Sequence, residues 1–554
     1  MKKQFYLIVG AVSLVLSSLV GIMIPLQLKQ MIDGSENMLR WGTLGVICAL
    51  FLGQAVLMAF GQYCIAVYGE NQVREQRIAL HQHLLALPLR FFHDQTSGEL
   101  ASRLVSDTLS IREFIADSLP MLISGGVTIV GSFVALIYLD WKLTVTLFGA
   151  LPILAVILAP ISNFAEKFSK RMQESISHLT SYLTETFRNV AYIKATATEE
   201  EMNQRTQTVV GDAFHVAKKI SLVDAIVYPV GLMFLFGAVA VVFGYGGARV
   251  AAGTLSIGTL MSFLIFLLQL LNPFGALSSI FANLGRMKGA QAKLKELEAL
   301  PVEKDTGGKA IHAGDLAFHH VSFAYDEKPI LEDLSMELPR GQRIAIVGPS
   351  GSGKTTLINL LLRLYPVTDG EICLDGVSIE QFNLRKWRQA IAYVSQSAYF
   401  LDGSIYDNLT FGLTHTPTEE EVTAAIREAS LEQDLADFPS GLNTSVGEGG
   451  GLLSGGQKQR LQIARAYLQK ADLFIFDEAT ANLDADAEFR FTQYLGHHLN
   501  EKTVLMIAHR LSTIVAADCI YFLDQGRVTG KGTHQELMAS HPDYKRYVEE
   551  QMLS

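Results

Sequence analysis

The nine residues GPSGSGKTT at 348–356 combine three glycines with a lysine and two threonine hydroxyls. Their spacing is G-x-x-x-x-G-K-[ST], a loop whose backbone N–H groups cradle phosphates in front of a helix N-terminus. Gly348, Pro349, Ser350, Gly351, Ser352, Gly353, Lys354, Thr355 and Thr356 are therefore candidate contacts to a nucleotide. In such a loop the Lys354 ammonium reaches the β- and γ-phosphates, and the Thr355 hydroxyl takes a place on Mg²⁺. A pair of acids follows in DLFIFDE at 472–478, where four apolar residues end in Asp477 and Glu478. Beside a phosphate loop, Asp477 suits a magnesium ligand. Glu478, expected on the other face of an extended backbone, suits the polarisation of an attacking water. A third stretch, LLSGGQKQRLQIARA at 452–466, offers a second phosphate grip, with Ser454 capping a helix that opens on Gly455 and Gly456. Phosphates already cradled by 348–355 have no room for it. It is expected to complete the site of a second copy of the domain.

These residues need a scaffold, and the flanking pattern supplies one. RIAIVGPSGSGKTTLINLLLRL at 343–364 reads as strand, glycine loop and amphipathic helix. From about residue 315 to the end at 554, short apolar runs alternate with helical patterns, the signature of an α/β domain. A polar, glycine-containing linker at 302–314 precedes it.

Residues 1–300 are different. The whole chain of 554 residues is 49% hydrophobic and 18% charged, with mean hydropathy +0.25. The apolar excess concentrates before about residue 280, which predicts a membrane half followed by a soluble half. Six stretches are long enough to cross about 30 Å of hydrocarbon: 5–28, 41–66, 119–139, 143–161, 226–247 and 260–282. Long polar stretches at 68–118 and 162–224 separate the second from the third and the fourth from the fifth. The short connections carry few cations (Lys29 and Arg40, Lys142, Arg249), whereas the long ones and Lys2–Lys3 carry many. The positive-inside rule then puts the long connections and the C-terminal half in the cytoplasm. Two segments of those connections, LPLRFFHDQTSGELASRL at 87–104 and LTETFRNVAYIKA at 183–195, are suited to dock on a partner domain.

The spans contain almost no ionisable residues, Asp140 and Asp224 lying at ends. Gln269, Asn272 and Pro273 interrupt the sixth span, and Pro25, Pro152, Pro160 and Pro229 mark others; helix kinking and packing account for them. A mostly apolar, mildly polar cavity fits an uncharged or amphipathic substrate better than a small ion. A net charge of -10 and pI near 5.8 argue against a nucleic-acid binder. The four cysteines, Cys48, Cys64, Cys373 and Cys519, lack metal-site spacing and read as packed free thiols. No small-residue cleavage site follows the first apolar run, so that run is expected to stay in the mature protein.

With LSGGQ at 453–457, GPSGSGKTT and LFIFDE in place, the C-terminal half resembles the nucleotide-binding domain of ATP-binding cassette (ABC) transporters. The six-span half resembles the membrane domain of multidrug and lipid-flippase exporters, most closely bacterial half-size exporters that work as homodimers. The resemblance implies an all-α six-helix transmembrane domain followed by an α/β P-loop NTPase domain. It adds Gln457 to the signature contacts. Tyr325, in VSFAYDEKPIL, matches the aromatic that stacks on adenine, and Gln396, in YVSQSAYF, the glutamine that touches Mg²⁺ and water. TSVGEGG at 444–450 resembles the exporter cross-talk loop. Asp484, closing ANLD, matches the dimer-contacting loop, and His509, in IAHRLST, the switch histidine at the γ-phosphate. The segments at 87–104 and 183–195 match the family's intracellular coupling segments. One departure concerns the start: Met1-Lys2-Lys3 runs almost directly into the first span, where the family usually has an amphipathic elbow helix. The elbow is truncated or the true start lies upstream.

The resemblance implies that two copies sandwich two MgATP molecules and drive export of a hydrophobic or amphipathic compound across the plasma membrane. Glu478 would act as base, with His509 and Lys354 stabilising charge. An intact catalytic set favours a homodimer, although the intact partner of a heterodimer would look the same. A soluble ATPase of the family would lack the spans, an ion channel would need intramembrane charge, and a peptide exporter often carries an N-terminal protease domain. Flipping of a lipid or lipid-linked glycan is the alternative within export.

Overall fold

The computed structural model describes residues 2–34, 41–93, 95–149, 151–305, 307–480, 483–499, 501–508 and 510–553; only the backbone is described at 2–3, 41, 43, 151–166, 223–224, 227–228, 231, 234, 485, 497–498 and 552–553. The chain forms two compact units. One comprises Met1–Leu85 and Ser97–Leu300, the other Ala86–Thr96 and Pro301–Ser554.

The first unit is helical: α1 (Lys2–Asp33), α2 (Trp41–Leu85), α3 (Ser97–Leu139), α4 (Leu151–Arg188), α5 (Glu199–Ala251) and α6 (Ile257–Glu298). Among the described residues, four helices are long and apolar enough to cross a membrane, within α1, α2, α3 and α6, and the described apolar end of α5 is Leu235–Ala251. The fourth expected span, 143–161, and the fifth, 226–247, fall largely or partly on residues whose side chains are not described. Large apolar side chains face outward on the spans, as at Leu52, Val56 and Val130. That inversion suits lipid rather than water as solvent.

Several polar side chains in this unit repair helix hydrogen bonds. Two π-turns, Arg103–Asp107 and Phe114–Ser118, interrupt α3. Beside the first, Thr108 Oγ1 donates to Leu104 O at 2.7 Å, and Arg77 Nη2 adds a contact at 3.4 Å to Val105 O, which also accepts from Thr108 N. At one end of the bundle, Asp140 caps the short helix Trp141–Phe148 and pairs with Arg249 at 2.5 Å. Asp33, at the end of α1, accepts from Gly258 N at 2.9 Å and Ser256 Oγ at 2.7 Å, so it caps the start of α6.

The second unit holds two sheets. An antiparallel sheet orders β2 (Pro329–Leu338), β1 (Leu316–Ala324), β4 (Asp369–Leu374) and β5 (Val377–Ser378). A six-stranded sheet runs β10 (Arg527–Gly532), β9 (Cys519–Asp524), β3 (Arg343–Val347), β8 (Thr503–Ile507), β7 (Leu473–Asp477) and β6 (Ile391–Val394). All its pairings are parallel except β10 with β9. β7 and β8 are buried at every position, which is why they read as unbroken apolar runs. Parallel strands end on one edge of the sheet, and that edge is where such folds place ligands. The segments leaving β3, β6, β7 and β8 all emerge there: 348–353, Ser395–Gln396, Glu478 and Ala508.

Segment 86–96 belongs to this unit. Leu89 packs on its core, Arg90 pairs with Asp326 at 2.6 Å, and Glu303 N donates to Ala86 O at 2.8 Å.

Candidate active site

The loop after β3 bends as its glycines require. Gly353 has φ +103°, and a Cβ there would lie 2.6 Å from Leu331 Cδ2. A Cβ on Gly348 would lie 2.0 Å from the carbonyl oxygen of Leu523. Any other residue at either position would push the loop off the sheet. Helix α7 (Lys354–Leu361) starts directly after it. Lys354 is buried, its Nζ donating to Gly348 O and Pro349 O, each at 2.8 Å. Burial pulls its pKa down, opposed by the charges of Glu478 and Asp477.

Ser352 Oγ is buried with no hydrogen-bond partner among the described residues. A buried hydroxyl without a partner is costly unless a ligand supplies one. The space where a Gly351 side chain would stand is open. These features fit a polyphosphate. Thr355 is exposed, free to meet a ligand, while Thr356 is buried. Thr356 Oγ1 lies 3.4 Å from the Tyr325 hydroxyl, which also accepts from Asn359 Nδ2 at 3.3 Å. The Tyr325 ring is set edge-to-face against Phe323 and Tyr365, at 4.9 and 5.1 Å between centroids. The sequence-predicted aromatic is thus tied to the phosphate loop.

At the end of β7, Asp477 is buried and its pKa is pushed up to about 6, first by burial and then by the neighbouring Glu478. Tyr393 Oη donates to Asp477 Oδ2 at 3.4 Å. A buried carboxylate of this kind gains from a cation, and Asp477, Thr355 and Gln396 are the oxygen donors suited to hold Mg²⁺. Glu478 does not continue the extended strand, as alternation along β7 predicted. Its φ is +53°, a left-handed turn held by Glu478 N donating to Ile507 O at 3.2 Å and by Gln459 Nε2 donating to Glu478 O at 3.0 Å. Strained backbone of this kind persists only where surrounding contacts fix it. The turn brings the carboxylate to Gln396, whose Nε2 donates to Glu478 Oε2 at 2.7 Å. Two residues predicted separately from sequence therefore meet.

The second glycine segment is built differently. Ser454 caps helix α8 (Gly455–Leu468) in a closed box: Gln457 N donates to Ser454 Oγ at 3.3 Å, and Ser454 N donates to Gln457 Oε1 at 2.8 Å. Gly455 and Gly456 form the first turn. Among the described residues, no hydrogen bond or ion pair joins 454–457 to 348–356. Asp484 caps helix α9 (Ala485–His498), accepting from Ala487 N at 2.8 Å. His509, with Ala481 and Asn482, lies outside the described residues.

Sequence reading missed two arginines. Arg460 grips Asp434 through Nε and Nη2 at 3.1 and 3.2 Å and reaches Asp484 at 3.5 Å, while Gln457 Nε2 donates to the same Asp434 at 3.0 Å. Gln457 and Arg460 share a helix face at i,i+3, a signal that was present; nothing local points to Asp434. Arg465 lies between the rings of Phe400 and Phe411, 5.7 Å from each centroid, and donates to Asn408 O at 2.7 Å. Both side chains bind α8 to its surroundings.

A phosphate loop, a buried acid at a strand end and a glutamine-bound glutamate define a P-loop ATPase cassette, joined in one chain to a helical unit with apolar spans. Family comparison agrees for both halves: residues 7–274 match the ABC transporter transmembrane region, and 331–481 match the ABC transporter domain. The chain is 32% identical over 559 residues to a multidrug resistance ABC transporter ATP-binding and permease protein of Lactococcus lactis subsp. cremoris, covering 99% of this chain and 94% of that one. It is 34% identical over 490 residues to an ATP-dependent lipid A-core flippase of Pseudomonas aeruginosa, covering 88% and 81%. A solved bacterial Atm1-family ABC exporter with ATP bound has the same fold, with TM-score 0.82 at 24% identity and 98% of each chain covered. The chain belongs to the ABC transporter family. It is a membrane protein that binds ATP and couples its hydrolysis to transport.

Proposed function

We propose that this chain exports hydrophobic or amphipathic compounds across the plasma membrane as a homodimer of six-span protomers. Its membrane domain would occupy 1–300 and its ATP-binding domain 315–554, the latter cytoplasmic. The phosphate loop 348–356 of one copy holds ATP, with Tyr325 on the base, and Ser454, Gly455, Gly456 and Gln457 of the second copy close over the γ-phosphate. Asp484 lies at that junction. Mg²⁺, held by Thr355, Asp477 and Gln396, would neutralise phosphate charge. Glu478 orients and deprotonates the attacking water, and Lys354 and His509 stabilise charge on the γ-phosphoryl. Closure of the two cassettes is transmitted to the spans through 87–104 and 183–195.

The observation that carries this reading is the Gln396–Glu478 hydrogen bond at 2.7 Å, beside a phosphate loop with a buried unpartnered hydroxyl. For the substrate, support comes from the apolar, nearly uncharged spans and from the multidrug name of the Lactococcus relative. The flippase names of other relatives favour a lipid as the second reading.

The test is ATP-dependent uptake of a hydrophobic cationic dye into inverted vesicles containing this chain alone, with Glu478→Gln as control. Uptake by wild type and none by the variant is expected. ATP hydrolysis without dye uptake, but with translocation of a labelled lipid, would transfer the assignment to the flippase reading.

A further inference from the structure

Around Gln269, among the described residues of the spans, hydrogen-bond acceptors outnumber donors. Pro25 sits inside α1 and Pro273 inside α6. Each lacks the N–H that a regular helix gives to the carbonyl four residues earlier, which is Gly21 for Pro25 and Gln269 for Pro273. Gln269 Nε2 repairs the first gap by donating to Gly21 O at 3.2 Å. From α2, Gln54 packs on the same glycine: a Cβ on Gly21 would lie 2.6 Å from Gln54 Nε2. The repair leaves Gln269 Oε1 buried without a partner among the described residues. Pro273 also withholds the usual donor from the backbone carbonyl of Gln269. The Gln269 side-chain oxygen thus sits without a donor in an apolar span, an arrangement that disfavours an empty site.

Gln269 as a whole is only half-buried, and one turn on, at i+3 along the same face, Asn272 is exposed. An exposed amide in the apolar stretch of a span is costly against lipid and suits a water-filled or substrate-filled cavity.

We propose that Gln269, with Asn272, forms a substrate subsite that accepts hydrogen bonds from N–H or O–H groups of an apolar ligand. The subsite deepens the export reading and rests on it. Gln269 is then a specificity-determining residue: its side-chain oxygen selects compounds that carry a donor over apolar compounds of similar size that carry none. The proline break in α1 draws the Gln269 amide to Gly21 and leaves its side-chain oxygen without a donor.

Equilibrium binding to the full chain in lipid nanodiscs tests the assignment with two permanent hydrophobic cations. Ethidium carries aromatic amino groups; tetraphenylphosphonium carries neither N–H nor O–H. Gln269→Met, a near-isostere, is expected to weaken ethidium binding about tenfold, the scale of one hydrogen bond, and to leave tetraphenylphosphonium within about twofold. Gln269→Glu keeps a side-chain oxygen acceptor and should retain ethidium. Asn272→Leu, at an exposed position that does not threaten folding, should shift the same ratio in the same direction. An unchanged ratio of the two affinities in Gln269→Met and Asn272→Leu overturns the subsite and leaves the export reading standing. Failure of wild type to bind either cation overturns both.

Discussion

The chain has two glycine-rich helix starts, and they solve opposite problems. At 348–353 the glycines serve the backbone: Gly353 takes φ +103° and Gly348 lies against the Leu523 carbonyl, so the loop folds back over its own sheet. Its hydroxyl Ser352 is buried and unsatisfied, and its Lys354 is enclosed. At 454–457 the glycines are ordinary helical residues and the serine is fully used in a capping box. The first segment is an incomplete pocket needing a ligand. The second is a finished, rigid N-terminus whose positive end can be offered outward. The first therefore has a polar group left to satisfy, whereas the second has its cap complete within its own cassette and suits the proposed role against a second copy.

The largest expected effect comes from the end of β7, which serves the first segment. Glu478→Gln removes the base but retains an oxygen to accept the Gln396 hydrogen bond. ATP hydrolysis should fall about 10²–10⁴-fold, the usual contribution of a general base, with nucleotide affinity unchanged. Parallel measurements of turnover and of equilibrium ATP binding check this. A hydrolysis rate within twofold of wild type would remove Glu478 from the chemistry.

A smaller effect tests the division of labour directly. Lys354→Ala disables the loop and Gly456→Asp places a negative charge at the α8 N-terminus; each homodimer should be inactive. Co-expressed, the two variants form mixed dimers in which one of two sites pairs an intact loop with an intact signature. Half of the dimers are mixed, so about a quarter of wild-type ATPase activity should return in a symmetric assembly. No recovery, with mixed dimers verified by differently tagged copies, would mean that both segments act on the same copy's nucleotide.

The contrast also explains what was legible in the sequence. A phosphate loop between strand and helix is local, so 343–364 could be read residue by residue, and so could the Ser454 cap. Glu478 was expected on an extended backbone, and its left-handed turn was not legible because the groups that hold it are remote: the Ile507 carbonyl on β8 and the Gln459 amide on α8. The meeting of Gln396 with Glu478 depends on β6 and β7 pairing in parallel, which only the sheet order shows. In the membrane unit, composition marked apolar spans but not their partners. Gln269 read as a packing residue until Pro25 on a different helix explained where its amide is aimed. Arg460 and Asp434 were missed for the same reason: helix spacing links Gln457 to Arg460, but nothing in the sequence announces an acid on a separate helix.

The smallest effect compares the two serines, and it has opposite signs. Ser352→Ala deletes a buried hydroxyl that has no partner, so the protein without nucleotide should become more stable by about 1 kcal/mol, at the low end of the penalty for such a group. Ser454→Ala deletes a cap and should cost about 1 kcal/mol. Nucleotide reverses the first result. If Ser352 Oγ is satisfied by a phosphate oxygen, the alanine variant loses that contact, and saturating ATP should raise its apparent melting temperature less than it raises that of wild type. Ser454→Ala, whose serine already has its partners within its own cassette, should respond to ATP as wild type does at concentrations where the cassettes stay apart. Thermal unfolding of the purified full chain, with and without ATP in the presence of a chelator, separates the cases. Destabilisation by both substitutions would show that the Ser352 hydroxyl finds a partner inside the loop, and the view of that loop as an unfilled pocket would fall.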